Sequence, residues 1–201
     1  MQKIAEASQF GCLARTTLKH ANTNLPGVSV IVPEVHSDPR GMFLETYHQT
    51  KFAEISISEN FVQDNHSTSV RGVLRGLHCQ LNRPQAKLCR VIEGVALDVA
   101  VDIRLGSPNF GKWTSVVLSA EQGTQLYVPQ GFAHGFLALS ERVQFLYKCS
   151  DFYDNADEHG IAHDDPDLDI TWGTASPLLS EKDRNHRPLV EIPRELLPRY
   201  N

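Results

Sequence analysis

Residues 95–103 read VALDVAVDI, an alternation of period two that puts Leu97, Val99, Val101 and Ile103 on one face of an extended strand and Asp98, Ala100 and Asp102 on the other. A helix would scatter the same residues around its circumference, so the segment specifies a strand. After the loop LGSPNFG, the segments TSVVLS, TQLYVP, HGFLALS and VQFLYKC follow at nearly regular spacing. Strands so close together leave no room for crossover helices and pair antiparallel, in a sandwich or barrel. GVSVIVP and MFLETYH add two strands around a turn at residues 37–41. RGLHCQ and QAKLCR read as the arms of a hairpin. Short helices are expected at residues 51–57 and 180–185, and the fold class is all-β.

A chain of 201 residues with 41% hydrophobic content buries one sizeable core. Residues 26–201 are therefore expected to form a single domain that includes the C-terminal helical segment. Residues 1–25, which lack a clear period, are read as an N-terminal extension of unassigned role. The net charge of -5 argues against nucleic acid or an anionic membrane surface as partner, because both demand dense positive charge. An anionic small ligand needs only a few local arginines. No run is long and apolar enough for a spanning segment, and a cytoplasmic setting is expected. The four cysteines, Cys12, Cys79, Cys89 and Cys149, form no CxxC pair and read as free thiols in a reducing compartment. The acidic run at residues 164–169 reads as a solvated loop.

The segment RGLHCQLNRPQAKL sets His78 and Lys87 within otherwise apolar strands, where an unpaired charge is expensive to bury. Alternation gives His78 and Gln80 one face, Lys87, Cys89 and Val91 another, and His134, Phe136 and Ala138 a third. The face Val143, Phe145, Tyr147 and Cys149 adds a phenol. Gly72 followed after five residues by His78-Cys79-Gln80, with Gly94 beyond, resembles the first signature of the cupin barrels. Gly123, five residues, Pro129-Gln130-Gly131, two residues and His134 resemble the second. Metal-binding cupins carry a second histidine where Gln80 stands, and a glutamate where this chain offers Lys87. With two ligands missing and a cation inserted, neither a metal nor any other cofactor is expected. Imidazole, ammonium and phenol around one cavity suit proton abstraction beside a carbonyl, with the ammonium stabilising an enolate oxygen.

In order and spacing, QDNH, RGLHCQ, QAKL, GFAHGF, FLYK and LSEKD resemble the deoxythymidine-diphosphate-4-keto-6-deoxyglucose 3,5-epimerases, the cupin enzymes of dTDP-rhamnose synthesis. The resemblance runs from about Gly27 to Asp183. It implies a double-stranded β-helix barrel, an isomerase activity, a dTDP-4-keto-6-deoxyhexose substrate and a homodimer. It also implies roles: His78 as general base with Asp183 as its dyad partner, Tyr147 as general acid, and Lys87 at the enolate oxygen. His134, Arg40, Glu45, Gln63, Asp64, Asn65, Arg75, Glu158 and Lys182 would bind the nucleotide sugar, with Glu45 reaching into a neighbour's site. Tyr153 is the rival phenol. A mono-epimerase acting at C3 or C5 alone, a sugar-nucleotide-binding cupin without catalysis and a metal-dependent cupin oxygenase are the alternatives.

Overall fold

The computed structural model describes residues 18–200, and its regular structure is mostly strand. A six-stranded sheet runs β1 (Lys19–Asn22), β2 (Ser29–Val32), β10 (Gln125–Val128), β7 (Lys87–Glu93), β12 (Arg142–Cys149) and β5 (Gln63–Val70). A five-stranded sheet runs β13 (Glu158–Gly160), β6 (Leu74–Gln80), β11 (Phe132–Ala138), β8 (Val95–Asp102) and β9 (Trp113–Ser119). Every neighbouring pair within the two sheets is antiparallel, as regular strand spacing requires. Strands β3 (Val35–Asp38) and β4 (Gly41–Leu44) form a separate exposed hairpin. Helices α1 (Gln49–Glu54) and α2 (Glu181–Arg184) fall where short helices are expected, although β4 stops well before His48.

The two sheets face one another, and their inward side chains interlock as one core. Cys89, Val91 and Phe145 from the six-stranded sheet meet Ala96, Ala100 and Phe136 from the five-stranded one. Phe136 stacks on Phe145 with ring centroids 4.0 Å apart, a packed contact between the sheets. The strand VALDVAVDI is buried on both faces. Its apolar face, with Val99 and Val101, turns away from the barrel and is covered by Ile161, Leu168, Trp172, Leu189 and Leu197 of the C-terminal segment. Its other face carries Ala100 into the inter-sheet core and holds Asp98 and Asp102 fully buried. A third cluster, with Ile31, Leu88 and Tyr127, lies beneath Phe52 of α1 on the six-stranded sheet.

Several expectations are corrected here. RGLHCQ and QAKLCR are not a hairpin, because β6 and β7 belong to different sheets and residues 81–86 cross between them. Strand β5 carries no apolar alternation; its half-buried positions are Gln63, Asn65 and Ser67, so hydrophobic periodicity does not reveal it. The acidic run at residues 164–169 is not wholly solvated. Asp165 is 2% exposed and accepts hydrogen bonds from the backbone N–H groups of Asp167, Leu168 and Leu189. Residues 1–17 of the N-terminal extension lie outside the described residues, while Lys19–Asn22 pairs with β2 as a sheet edge. Among the described residues no helix is long and apolar enough to cross a membrane. Cys79, Cys89 and Cys149 are buried free thiols, and Cys12 lies outside the described residues.

One irregularity aims the site. His134 pairs with His78 and Phe136 with Arg75, so two residues of β11 span three of β6. This bulge puts Arg75 and His78 on the same inward face despite odd spacing. It requires close backbone approach: a Cβ on Gly76, whose φ is +113°, would lie 2.6 Å from the Cα of Gly135.

The crossing loop is anchored by Asp157, which accepts from the backbone N–H of Asn82 at 2.9 Å and of Arg83 at 2.8 Å. Burial opposes its ionisation, yet these donors hold its carboxyl below the usual range. Because the folded value is depressed, the stabilisation is present above the unfolded value near pH ~3.9 and is lost as pH falls through the folded one. Asp157→Ala is expected to lower the unfolding free energy by about 1–3 kcal/mol at neutral pH. Urea titrations at neutral pH and below about pH 3 should show that difference narrowing in acid.

Candidate active site

Between the sheets, at the mouth of the barrel, lies a cavity of about 390 Å³. Arg75, His78 and His134 line it from the five-stranded sheet, joined by Glu158 on β13. Gln63, Asn65, Lys87 and Tyr147 line it from the six-stranded sheet. Ser180, Lys182 and Asp183 reach it from the C-terminal segment. Imidazole and phenol therefore stand on opposing walls, with the cavity between them.

His78 is oriented by a carboxylate. Its Nε2 lies 2.7 Å from Oδ1 of Asp183, which is 5% exposed. Asp183 is held in turn by α2, where the Ser180 hydroxyl accepts the Asp183 N–H as the helix cap. Burial works against ionisation of Asp183, but the hydrogen bond from His78 prevails and keeps its carboxyl below the usual range. An ionised carboxylate only accepts, so neutral His78 carries its proton on Nε2 and keeps the Nδ1 lone pair free to act as a base. Glu158 Oε1 stands 3.7 Å from Nδ1, beyond hydrogen-bond length.

On the other wall, the Lys87 Nζ lies 5.9 Å from the Tyr147 ring centroid. Among the described residues it has no carboxylate partner, so its charge is available to a developing oxyanion. Burial pushes the Tyr147 phenol upward, as do the neighbouring thiols and Glu158, so Tyr147 enters neutral solution as a protonated donor. Tyr153, also at the cavity, is 49% exposed, and its one hydroxyl proton has Asn155 Oδ1 and Glu158 Oε2 as alternative acceptors, each at 3.1 Å.

Arg75 is braced by the Ser69 hydroxyl at 3.1 Å and the Thr68 carbonyl. The Gln63 side chain donates to Asn65 Oδ1 and accepts from the Tyr153 backbone N–H, tying β5 to the segment that carries Tyr153. Lys182 donates to Glu158, which remains below the usual carboxylate range although burial opposes its ionisation. His134, 6% exposed, is bonded through Nε2 to Asp98 at 2.6 Å. Asp98 and Ser67 are thus parts of the site that motif spacing missed. Strand alternation carried the signal for Asp98, which stands on the face opposite the apolar one.

Three expected binding residues stand away from this cavity within the single chain. Arg40 pairs with Asp38 on the exposed hairpin, Glu45 with Lys51, and Asp64 with Lys148 on the outer face of the six-stranded sheet. Gln80, at the position of a second metal-binding imidazole, is committed to backbone. Its amide donates to the carbonyls of Arg83 and Phe152, and its oxygen accepts the Asp154 N–H.

An imidazole oriented by a carboxylate, a phenol facing it and an ammonium with no carboxylate partner among the described residues, set in the mouth of a cupin-type barrel, are the groups that suit an isomerase moving protons beside a carbonyl. Comparison with known proteins narrows the class. The family model described as dTDP-4-dehydrorhamnose 3,5-epimerase matches residues 22–191. An enzyme of that name from Methanothermobacter thermautotrophicus is 50% identical over 174 residues, 85% of this chain and 94% of the relative. The crystal structure of dTDP-6-deoxy-D-glucose-3,5-epimerase from Legionella pneumophila, in complex with dTDP-4-keto-L-rhamnose, superposes with a TM-score of 0.90 at 45% identity. It covers 92% of this chain and 99% of its own. A dTDP-4-dehydrorhamnose 3-epimerase from Streptomyces niveus is 42% identical over 179 residues, 88% of this chain and 86% of its own. The chain belongs to the dTDP-4-dehydrorhamnose 3,5-epimerase family.

Asp183→Asn retains the size of the dyad carboxylate but removes its charge. It is expected to lower kcat by about 10²–10⁴-fold with little change in substrate affinity. Steady-state kinetics beside equilibrium binding of a non-reacting dTDP-sugar would check this split.

Proposed function

We propose that the chain epimerises dTDP-4-dehydro-6-deoxy-D-glucose at C3 and C5, giving dTDP-4-dehydro-L-rhamnose through enolate intermediates. The observation that carries this reading is the placement of His78 and Tyr147 on opposing sheets across one cavity. Both carbons flank the C4 ketone, so one base and one oxyanion-stabilising cation serve two centres. His78 Nδ1 takes the proton from carbon as the electron pair moves into the enolate, whose oxygen Lys87 stabilises. Tyr147 then delivers a proton to the opposite face of that carbon. Exchange with solvent returns His78 to its neutral form and the phenolate to phenol. Inversion needs a group on each face, and a general acid or base of this kind contributes about 10²–10⁴-fold.

Arg75 is suited to the diphosphate, with Lys182 adding positive charge at the rim, while Gln63, Asn65, His134 and Glu158 orient the sugar nucleotide. Arg40 and Glu45 enter the reading through a homodimer. Their hairpin exposes Met42 at 57% and Phe43 at 70%, an apolar tip suited to a second copy of the chain. There Glu45 and Arg40 complete the neighbour's site. The free buried thiols accord with a cytoplasmic setting.

Proton NMR of the substrate in D₂O with chelator-treated protein tests the reaction. Deuterium is expected at C3 and C5. Entry at one carbon would select a mono-epimerase, the activity named for the Streptomyces niveus relative. His78→Ala should bind the nucleotide sugar but lose exchange, whereas Tyr147→Phe should lose net inversion more than isotope wash-in. Undiminished inversion in the phenylalanine variant would move the acid role to Tyr153 or water. Sharing of sites is tested by mixing Glu45→Ala with His78→Ala protein. Recovery of activity in the mixture is expected, and its absence in confirmed mixed dimers would place Glu45 outside the partner's site.

A further inference from the structure

His186 has no part in the proton transfers above, yet it is built tightly against them. It follows α2 by two residues, and its ring lies so close to Gly160 that a Cβ there would fall 2.0 Å from His186 Cε1. The ring meets His78 edge-on, with centroids 5.5 Å apart. Its Nδ1 is buried and has no hydrogen-bond partner among the described residues, an arrangement that native structures rarely tolerate without a reason. One donor atom each from His78, Asp183 and His186 lies within 4.8 Å of the other two.

Two imidazoles and a carboxylate form a donor set for borderline transition metals, with Zn²⁺ the foremost, and three protein ligands leave a fourth position for water. The hydrogen-bonded atoms of His78 and Asp183 are 2.7 Å apart. Bound to one tetrahedral zinc ion they would stand roughly 3.3 Å apart, so the dyad must open by about half an ångström. A second group, Cys89, Asp98 and His134, has the same proximity but is fully buried. Its thiol is pushed well above its ordinary range by burial, and His134 Nε2 is already engaged by Asp98.

We propose that His78, Asp183 and His186 form a reversible Zn²⁺ site that switches the enzyme off. Zinc replaces the Nε2 proton of His78, which leaves to solvent, and ligates the imidazole, the carboxylate and His186 together. The dyad then no longer orients the base. Inhibition rests on the epimerase reading above; metal binding does not.

Isothermal titration of chelator-treated, desalted protein with Zn²⁺, run beside turnover of the dTDP-sugar substrate, tests the site. One zinc per chain is expected, with activity lost in proportion to occupancy and restored by chelator. His186→Gln should keep its metal-free turnover and weaken zinc binding by about tenfold or more. His186→Cys, which supplies a thiolate, should recover binding. Zinc affinity unchanged in His186→Gln, affinity abolished by Cys89→Ser instead, or no zinc binding by the unmodified chain would each overturn the proposal. Zinc binding that depends on residue 186, in a chain that does not turn over the substrate, would sustain the metal site and remove the epimerase reading.

Discussion

The outer face of the five-stranded sheet has to be covered, and much of the site's geometry follows from how this is done. Val99 and Val101 turn away from the barrel and are buried only because residues 161–197 fold back over them with Ile161, Trp172, Leu189 and Leu197. A fully buried side chain of this size contributes about 1.5–3 kcal/mol, so the segment is held by packing along its length. That packing delivers α2 to the rim and sets Asp183 against His78. The His78–Asp183 hydrogen bond is thus a by-product of apolar coverage, joining residues 105 positions apart in sequence.

The barrel interior combines apolar packing at its centre with polar pairs toward its mouth. Phe136 and Phe145 stack between the sheets, while His134 is held by Asp98 and His78 by Asp183. Each pair gives a partner to an imidazole that burial alone would leave costly, although Asp98 Oδ2 has none among the described residues. Lys87 is the exception. Its ammonium faces the cavity with no carboxylate partner among the described residues, which suits an oxyanion. The two walls carry different side chains because they are different sheets: Arg75, His78 and His134 on one, Lys87 and Tyr147 on the other.

Much of this is legible in the sequence. The period-two strands, the antiparallel class, both short helices and the shared faces that group Lys87 with Cys89, His134 with Phe136 and Tyr147 with Phe145 follow from alternation and turn chemistry. Other features were not. Strand β5 presents Gln63, Asn65 and Ser67 to the cavity, so the residues that make it useful also erase its hydrophobic signal. The division of β6 and β7 between sheets escaped because a short loop joining two strands looks the same whether it closes a hairpin or crosses a barrel. The shared face of Arg75 and His78 depends on a bulge that simple alternation does not foresee.

The sequence by itself determined the all-β class, the inward-facing chemistry and, through ordered motifs, the family. It could do so because side-chain direction in a strand is a local property with a period of two. Only the tertiary structure decided which wall each group stands on, which nitrogen of His78 is free, and that Asp98 lies beside His134 and His186 beside His78. Those relations join segments far apart in the chain, and they are set by sheet pairing and by burial of the C-terminal segment, which no local pattern encodes.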